Sequence, residues 1–209
     1  MRRGPGAVLG TAAFLLVATL VVGILVLALR PLPTLDADVR LIGMHERGEV
    51  VRDAYGVPHL YARNAHDLFY MQGYVLAQDR LFQLDLYRRA AHGTLSEVFG
   101  EATISADRLV RTFTLARAAA AELAFLSDEA RAAADAFSEG INKYIEQRGD
   151  TPPLEFVLLG YRPSAWSALD SLAIMKLQAY DRGINFRTEL LRASVAQRLG
   201  TPAVDVFFP

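Results

Sequence analysis

The chain has 209 residues, which is enough for one ordinary domain or for part of a larger protein. Its formal net charge of −1 gives no overall positive field that would attract nucleic acid or an anionic surface. Because the sequence contains no cysteine, disulfides, thiolate metal sites and a cysteine nucleophile are excluded together.

The first thirty residues differ in composition from the rest. Residues 7–29 carry no charged side chain, and a bilayer core requires about 20 apolar residues in a helix. The apolar part of a signal peptide is usually about 7–15 residues long and ends in a small-residue cleavage site. We therefore predict an uncleaved transmembrane anchor in residues 1–30, with a cleaved signal peptide as the alternative. Arg2 and Arg3 favour the cytoplasmic side, so the remainder is expected outside the cytoplasm.

A Pro-containing linker, residues 31–48, follows the apolar run. Two short segments with β propensity come next, Glu49–Arg52 and His59–Ala62. Gly56 between them can supply a positive φ, and Pro58 limits the strand pairing. This pattern predicts a bent strand or hairpin at a sheet edge.

A long helix is predicted from about Ala65 to Ala91. Asn64 can cap its first turn, and Asp67 favours the amide-rich end of the helix. Apolar residues cover more than one stripe of this helix, so it should be largely enclosed by other elements. Gly93 is expected to end it, with a short second helix beyond.

Polar residues interrupt the apolar surface of this long helix. Gln78 and Asp79 lie within one apolar stripe, and Asp85 can reach Arg88 and Arg89 at i+3 and i+4. A buried carboxylate requires a partner, because an unpaired one costs several kcal/mol. The favoured interpretation is a polar network that supports a core helix, and direct contact with a substrate is the alternative.

The rest of the chain is predicted to be mainly helical. Residues from about 115 to 148 are rich in alanine, with a helix start at Ser127, and Pro152 follows the end of this region. Another helical region opens near Trp166, and an amphipathic helix ends at Gly200. The apolar run after Gly200 shows no terminating structure of its own.

No catalytic group can be assigned from the residues alone. His45, His59, His66 and His92 show no metal-ligand spacing, and His59 and His66 are expected to be surface or capping groups. Phosphate-binding loops, serine nucleophile elbows and dinucleotide-binding glycine patterns do not occur in the sequence.

Three segments in order nevertheless resemble one known family, penicillin acylase (penicillin amidase). The first is RDAYGVPHLYA followed by DLFYMQGYVLAQDRLFQLDLYRRAAHGTLSEVFG. The second is PPLEFVLLGYRPSAW with DSLAIMK, and the third is NFRTELLRA. Together they cover nearly everything after residue 49, whereas the apolar run and the linker fall outside the resemblance.

The resemblance implies an N-terminal-nucleophile amidohydrolase, made as a precursor that cleaves itself into a smaller α chain and a larger β chain. The serine that begins the β chain is the nucleophile, and its own α-amine, with a pKa near 8, is the base. Residues 49–209 match only the α chain, so this region would be the mostly helical, α+β part of a four-layer αββα fold. We expect the isolated chain to be inactive. The pairs Gly93-Thr94 and Gly200-Thr201 are not favoured as cleavage junctions.

The resemblance also implies roles for four residues. Glu189 matches a glutamate that helps to bind a structural calcium ion, whose other ligands come from the β chain; an exposed Glu189–Arg192 pair is the alternative. Tyr180, with Leu177 and Ile184 as neighbours, is expected near the acyl-group pocket, and ordinary core packing is the alternative.

The expected reaction is therefore hydrolysis of the amide bond of N-acyl compounds, such as β-lactam side chains or acyl-homoserine lactones. The expected partners are the β chain and the membrane, through residues 7–29, without an organic cofactor or nucleic acid. One alternative is a non-catalytic, membrane-anchored helical interaction module that keeps the α-chain scaffold. Another is a chain shortened from a longer reading frame.

Overall fold

The computed structural model describes residues 5–29, 38–183 and 185–208. The two strands are β1 (Glu49–Arg52) and β2 (Pro58–Tyr61). The helices, in chain order, are α1 (Pro5–Leu29), α2 (Ala65–His92), α3 (Ser96–Phe99), α4 (Ile104–Phe113), α5 (Leu115–Leu123), α6 (Asp128–Arg148), α7 (Leu154–Leu159), α8 (Ala168–Gly183), α9 (Phe186–Leu199) and α10 (Thr201–Phe207). A 3₁₀ turn at Gly100–Thr103 joins α3 to α4.

The N-terminal apolar run forms α1, a helix of 25 residues. Its side chains are described from Phe14 onward, apart from those of Ile24, Leu27 and Ala28. Counting only what the structure describes, none of the helices combines the length and apolar character that crossing a bilayer requires. The membrane anchor in residues 1–30 is therefore not supported by the structure and stays a prediction.

The predicted hairpin is confirmed as an antiparallel pair in which Glu49 faces Tyr61 and Arg52 faces Pro58. Its turn is closed by Asp53, whose Oδ1 accepts hydrogen bonds from the backbone N–H groups two and four residues later, at 2.8 and 2.9 Å. Gly56 has a φ of 79°, a conformation that glycine adopts without steric cost. The second strand begins at Pro58, one residue before the predicted start.

The long helix α2 begins and ends as its capping residues predict. The side chain of Asn64 accepts a hydrogen bond from the backbone N–H of Asp67 at 2.8 Å. Gly93 adopts the left-handed conformation, with φ 66° and ψ 48°, and its N–H bonds to the carbonyl groups of the last turn. Arg80 interrupts the helical dihedrals, with φ −146° and ψ 34°, so α2 is kinked at that residue.

Helices α2 and α6 cross in close contact at two glycines. A Cβ atom on Gly73 would overlap the carbonyl oxygen of Phe137 on α6, and a Cβ atom on Gly140 would overlap the carbonyl oxygen of Tyr70 on α2. Only residues without a side chain fit at these two positions. The backbones therefore approach more closely than larger side chains would permit.

The main apolar core lies around this crossing, between α2, α6, α7 and the segment that precedes α8. Its buried members are Tyr74, Val75, Ala77, Leu81, Ile141, Tyr144, Phe156 and Trp166. Asn142 of α6 fixes the segment before α8, because its side chain both donates to and accepts from the backbone of Trp166, at 2.8 and 2.6 Å. The indole N–H of Trp166 donates to Ser171 at 3.0 Å, so this buried donor is satisfied.

The first turn of α8 is held by one carboxylate. Asp170 accepts hydrogen bonds from the backbone N–H and the hydroxyl of Ser167, both at 2.8 Å, and lies 3.0 Å from Nε2 of His92. Burial by itself raises the pKa of Asp170, but the hydrogen bonds from His92 and Ser167 outweigh it, so the pKa lies below its ordinary value. Asp170 thus joins the start of α8 to the end of α2.

Three helices were not anticipated from the sequence. One is the short helix α7, which directly follows Pro153. α4 lies in a region for which no element was predicted, and its exposed surface includes Leu109 and Phe113. The terminal apolar run, for which no element was predicted, forms α10. Pro202 is compatible with that helix because it lies in the first turn, where a backbone N–H has no partner to lose.

Substitution of Gly140 by alanine tests the close helix crossing. The added Cβ atom forces α2 and α6 apart, so the free energy of unfolding should fall by about 2–3 kcal/mol. Urea unfolding followed by circular dichroism measures the change.

The matched control is Gly183→Ala, because Gly183 also lies in a helix but a Cβ atom there meets nothing within 4 Å. Its effect should stay within about 0.5 kcal/mol of zero. Equal effects at Gly140 and Gly183 would contradict the crossing as described.

Substitution of Asp170 by asparagine tests the charged cap of α8. At pH 7 the free energy of unfolding should fall by about 1–3 kcal/mol, because an uncharged amide cannot replace all three carboxylate contacts. Since the folded-state pKa lies below the unfolded value of about 3.9, the contribution is present above that pH and is lost as pH falls through the folded-state pKa. The deficit of the variant should therefore shrink below about pH 4 in urea unfolding experiments.

Asp135→Asn is the control for charge removal alone, because Asp135 is exposed on α6. This variant should change the free energy of unfolding by less than about 0.5 kcal/mol at any of these pH values. A deficit of Asp170→Asn that stays constant down to pH 3 would show that the carboxylate charge is not what stabilises the cap.

Candidate functional site

The family resemblance assigns roles to residues of α8 and α9 and to the connection between these two helices. We call this region the α8–α9 corner. Leu177 and Tyr180 lie in the second half of α8, and Glu189 lies in the first turn of α9. Ile184, between the two helices, lies outside the described residues. The structure therefore brings the described members of the predicted site into two consecutive helices.

Tyr180 is partly buried and packs against an aromatic residue of α4. The ring centroids of Tyr180 and Phe113 are 4.7 Å apart, with an angle of 43° between the rings. Phe113 itself is 47% exposed, so the pair forms an apolar surface that is open to solvent on one side. Sequence reasoning missed Phe113 because α4 was not predicted; the amphipathic pattern of residues 104–113 was the available signal.

Leu177 has the environment of a packing residue. It lies against a small core cluster formed by α2, α5 and α8, whose buried members are Ala91, Ala119, Leu172 and Ala173. This contact is compatible with ordinary core packing, the alternative that the sequence left open, and the role of Leu177 near the acyl pocket stays a prediction.

Glu189 is half exposed and hydrogen-bonded to its own helix. Its Oε1 atom accepts from Nδ2 of Asn185 at 3.3 Å and from Nη1 of Arg192 at 3.4 Å. Calcium takes 6–8 oxygen ligands, and in the described part of the chain no cluster of three or more histidine or carboxylate side chains includes Glu189. A calcium site at Glu189 would therefore need most of its ligands from outside the described residues.

The surface around Glu189 is apolar and uncovered in the described part of the chain. α9 has no buried residue, and Phe186, Leu190 and Leu191 are 56%, 62% and 54% exposed. Val206 and Phe207 of α10, the helix that packs against α9, are 76% and 62% exposed. Large apolar side chains that are exposed on two helices in contact are typical of an interface with another polypeptide.

The charged residues in the second half of α2 make hydrogen bonds inside the fold. Asp85 is buried and accepts hydrogen bonds from Arg88, from Nε of Arg89 at 2.9 Å and from the hydroxyl of Tyr161 at 2.8 Å. Nη1 of Arg88 also donates to the carbonyl groups of Ser164 and its neighbour, both at 3.1 Å. The predicted polar network around the core helix is confirmed.

An arginine–carboxylate pair also joins the hairpin to α2. The guanidinium of Arg52 makes two hydrogen bonds to the carboxylate of Asp79, at 2.7 and 2.9 Å, and a third to Oε1 of Gln78 at 3.0 Å. The bidentate geometry is the strong form of an arginine–carboxylate pair. These residues thus hold the hairpin against α2 rather than forming a reactive centre.

One set of side chains has the residue types of a hydrolytic triad but not its arrangement. His92, Asp170 and Ser167 are in contact, yet the hydroxyl of Ser167 donates to Asp170 rather than to a histidine. A serine nucleophile needs a base within hydrogen-bond reach to take its proton. The set therefore functions as a helix cap.

Comparison with known proteins identifies the family. The model of the penicillin amidase family matches residues 47–209. Penicillin G acylase of Escherichia coli is 37% identical over 126 residues, which are 58% of this chain and 15% of the relative. Acyl-homoserine lactone acylase QuiP of Pseudomonas putida is 31% identical over 169 residues, 81% of this chain and 21% of the relative. Penicillin acylase 2 proenzyme of Pseudomonas sp. (strain SE83) is 34% identical over 145 residues, 69% of this chain and 19% of the relative.

A solved structure agrees with these sequence matches. Thermostable penicillin G acylase from Alcaligenes faecalis superposes with a TM-score of 0.62 and 32% sequence identity, covering 78% of this chain and 89% of the matched chain. By contrast, the chain spans only 15% to 21% of the length of the curated relatives it matches. Since the family model covers all but the first 46 residues, this chain belongs to the penicillin amidase family.

Proposed function

We propose that this chain is the amino-terminal, α-chain portion of an amidohydrolase that cleaves the amide bond of N-acyl compounds. The observation that carries the proposal is the family match over residues 47–209. The relatives are named for penicillin G and for acyl-homoserine lactones. Both of these compounds carry an acyl group on an amide nitrogen, so we propose N-acyl compounds in general as the substrate class.

The proposal assigns the reactive groups to a second polypeptide region. A serine at the start of a β chain would attack the amide carbonyl, with its own α-amine taking the proton, since an α-amine titrates near pH 8. The word proenzyme in the name of one relative, and the near-complete cover of a chain in the solved penicillin G acylase, support a division into a small and a large chain. By this proposal the present chain is inactive on its own.

The β chain would cover the apolar surface of α9 and α10. Phe186, Leu190 and Leu191 are more than half exposed in the described chain, and burying such groups is favourable by about 25 cal/mol per Å² of apolar surface. Glu189 follows Phe186 by three residues and so lies at one edge of this surface, on the same side of α9 as Phe186. It would therefore lie beside the contact with the β chain, which supports a calcium ion shared between the two chains.

The acyl group would bind near the same corner. Tyr180 and Phe113 form an open aromatic surface, and aromatic side chains are suited to hold an apolar acyl group. Leu177 would support α8 beneath this surface, and Ile184, which follows α8 in the sequence and lies outside the described residues, is included because the family resemblance names it as a neighbour of Tyr180. We propose these four residues as this chain's contribution to acyl recognition.

Co-expression with the β-chain region of the same reading frame tests the proposed division of labour. We expect no amide hydrolysis by the purified full chain and measurable release of free amine by the co-expressed pair. Penicillin G and a series of acyl-homoserine lactones are the substrates, and the assay is fluorescent labelling of the released amine.

In the active pair, Tyr180→Ala should lower kcat/KM by about tenfold for the preferred acyl group, whereas Tyr55→Ala, at an exposed tyrosine of the hairpin turn, should not change it. Turnover by the lone chain would contradict the division of labour. A folded, monodisperse chain that gains no activity from the partner would instead support a non-catalytic interaction module.

Chelation tests the proposed calcium role of Glu189. Removal of calcium should lower the Tm of the assembled pair, because a ligand that binds only the folded state stabilises it by mass action. Glu189→Gln should lower the Tm and abolish most of the further loss on chelation, measured by differential scanning fluorimetry. Glu155→Gln is the matched control, since Glu155 is an exposed acid in the first turn of α7. The role is wrong if chelation lowers the Tm of wild type and Glu189→Gln equally.

A further inference from the structure

Two histidines that are distant in the sequence meet at the start of α2. His45 precedes β1 and His66 lies in the first turn of α2, yet their rings stack with centroids 4.2 Å apart and 20° between the ring planes. Asp67 lies beside them, with its Oδ1 atom 3.1 Å from Nδ1 of His66. One ligand atom from each of the three residues lies within 4.8 Å of the other two.

These separations suit a small metal ion. In a tetrahedral site with metal–ligand distances of about 2.0–2.1 Å, two ligand atoms are about 3.3 Å apart. The pair formed by His66 and Asp67 is already close to that separation, at 3.1 Å. The rings of His45 and His66 lie in nearly parallel planes, so their nitrogen lone pairs do not converge on one point in this conformation. Because the side chain of His45 is exposed, its ring can turn out of the stack toward an ion held by His66 and Asp67.

Asp67 is a rigid anchor for such an ion. Its side chain is only 1% exposed, and its two oxygens accept from the backbone N–H groups of His45 and Glu46 at 2.9 and 2.8 Å and from Nδ2 of Asn64 at 2.8 Å. These three donors fix the carboxylate while Oδ1 still faces Nδ1 of His66. An ion can take the place of the proton between those two atoms without breaking the other bonds.

Two further features are compatible with coordination. Nε2 of His66 lies 3.8 Å from a carboxylate oxygen of Glu139 on α6, slightly beyond hydrogen-bond distance, and a small movement would give the outer-shell hydrogen bond that a metal-bound histidine usually makes. Among the described residues, no hydrogen bond is made by the ring nitrogens of His45, so that imidazole is available as a ligand.

We propose that His45, His66 and Asp67 form a binding site for a divalent transition-metal ion, with Zn²⁺ as the favoured occupant. Two imidazole nitrogens and one carboxylate oxygen suit Zn²⁺ and its neighbours in the first transition series, whereas Ca²⁺ requires an all-oxygen shell. The ion joins the segment before β1 to the first turn of α2 and holds Glu139 of α6 in its outer shell. This site lies on α2, away from the α8–α9 corner, and does not depend on the proposed hydrolase activity.

Metal titration of the full chain tests the proposal. The chain is purified without a histidine tag, kept in mild detergent and freed of metal with a chelator. Isothermal titration with Zn²⁺ should show one site, and Tm should rise by about 5 °C at a Zn²⁺ concentration one hundred times the dissociation constant. Co²⁺ should give the visible absorption of a tetrahedral complex, and Ca²⁺ should give neither signal.

Variants then locate the ion. His45→Ala and His66→Ala should each weaken Zn²⁺ binding at least tenfold, and Glu139→Gln should weaken it by about tenfold through the outer shell. His59→Ala is the matched control, because His59 is also an exposed histidine close to an aspartate, Asp53, at 3.5 Å. The affinity of His59→Ala for Zn²⁺ should equal that of the wild type.

Asp67 is left unchanged because its carboxylate accepts hydrogen bonds from the backbone of His45 and Glu46, so its loss would disturb the segment that carries His45. The Tm of His45→Ala without metal should equal that of the wild type, since the side chain of His45 is exposed, and this shows that the variant is folded. Absence of Zn²⁺ binding by the wild type, or equal binding by the wild type and His45→Ala, would overturn the proposal.

Discussion

The close crossing of α2 and α6 is the constraint on which the described fold depends. Gly73 and Gly140 let the two backbones meet without an intervening side chain, and the core residues Tyr74, Ile141 and Tyr144 pack around that contact. Close-packed interiors tolerate little change in volume. The position of α2 relative to α6 therefore determines where the hairpin, α7 and the start of α8 can lie.

Charged side chains join the surrounding elements to α2. Arg52 joins the hairpin to α2 through Asp79, Asp85 joins α2 to Tyr161 beyond α7, and Asp170 joins α2 to α8 through His92. Each carboxylate is paired, as a buried charge must be. These polar residues hold the helices and the hairpin together. Their contacts account for the many charged side chains of α2 without assigning them a role in catalysis.

The family's chemistry is consistent with a scaffold of this kind. The α8–α9 corner carries Tyr180 and Glu189 next to an apolar surface that no described element covers. By the proposed function this corner would supply one wall of the acyl pocket and one acidic ligand, roles that need no reactive group in this chain. The cluster of His45, His66 and Asp67 at the start of α2 is chemically different, because it combines imidazole with carboxylate and all three of its residues come from this chain.

The sequence by itself determined the local structure and the family. Asn64 and Gly93 fixed the ends of α2, Gly56 and Asp53 fixed the hairpin turn, and the spacing of Asp85 and its arginines fixed their pairing, because each depends on residues only a few positions apart. Contacts between distant residues were decided only by the tertiary structure. Phe113 meets Tyr180, Arg52 meets Asp79, and His45 meets His66 because helix packing brings together segments whose separation no local pattern encodes.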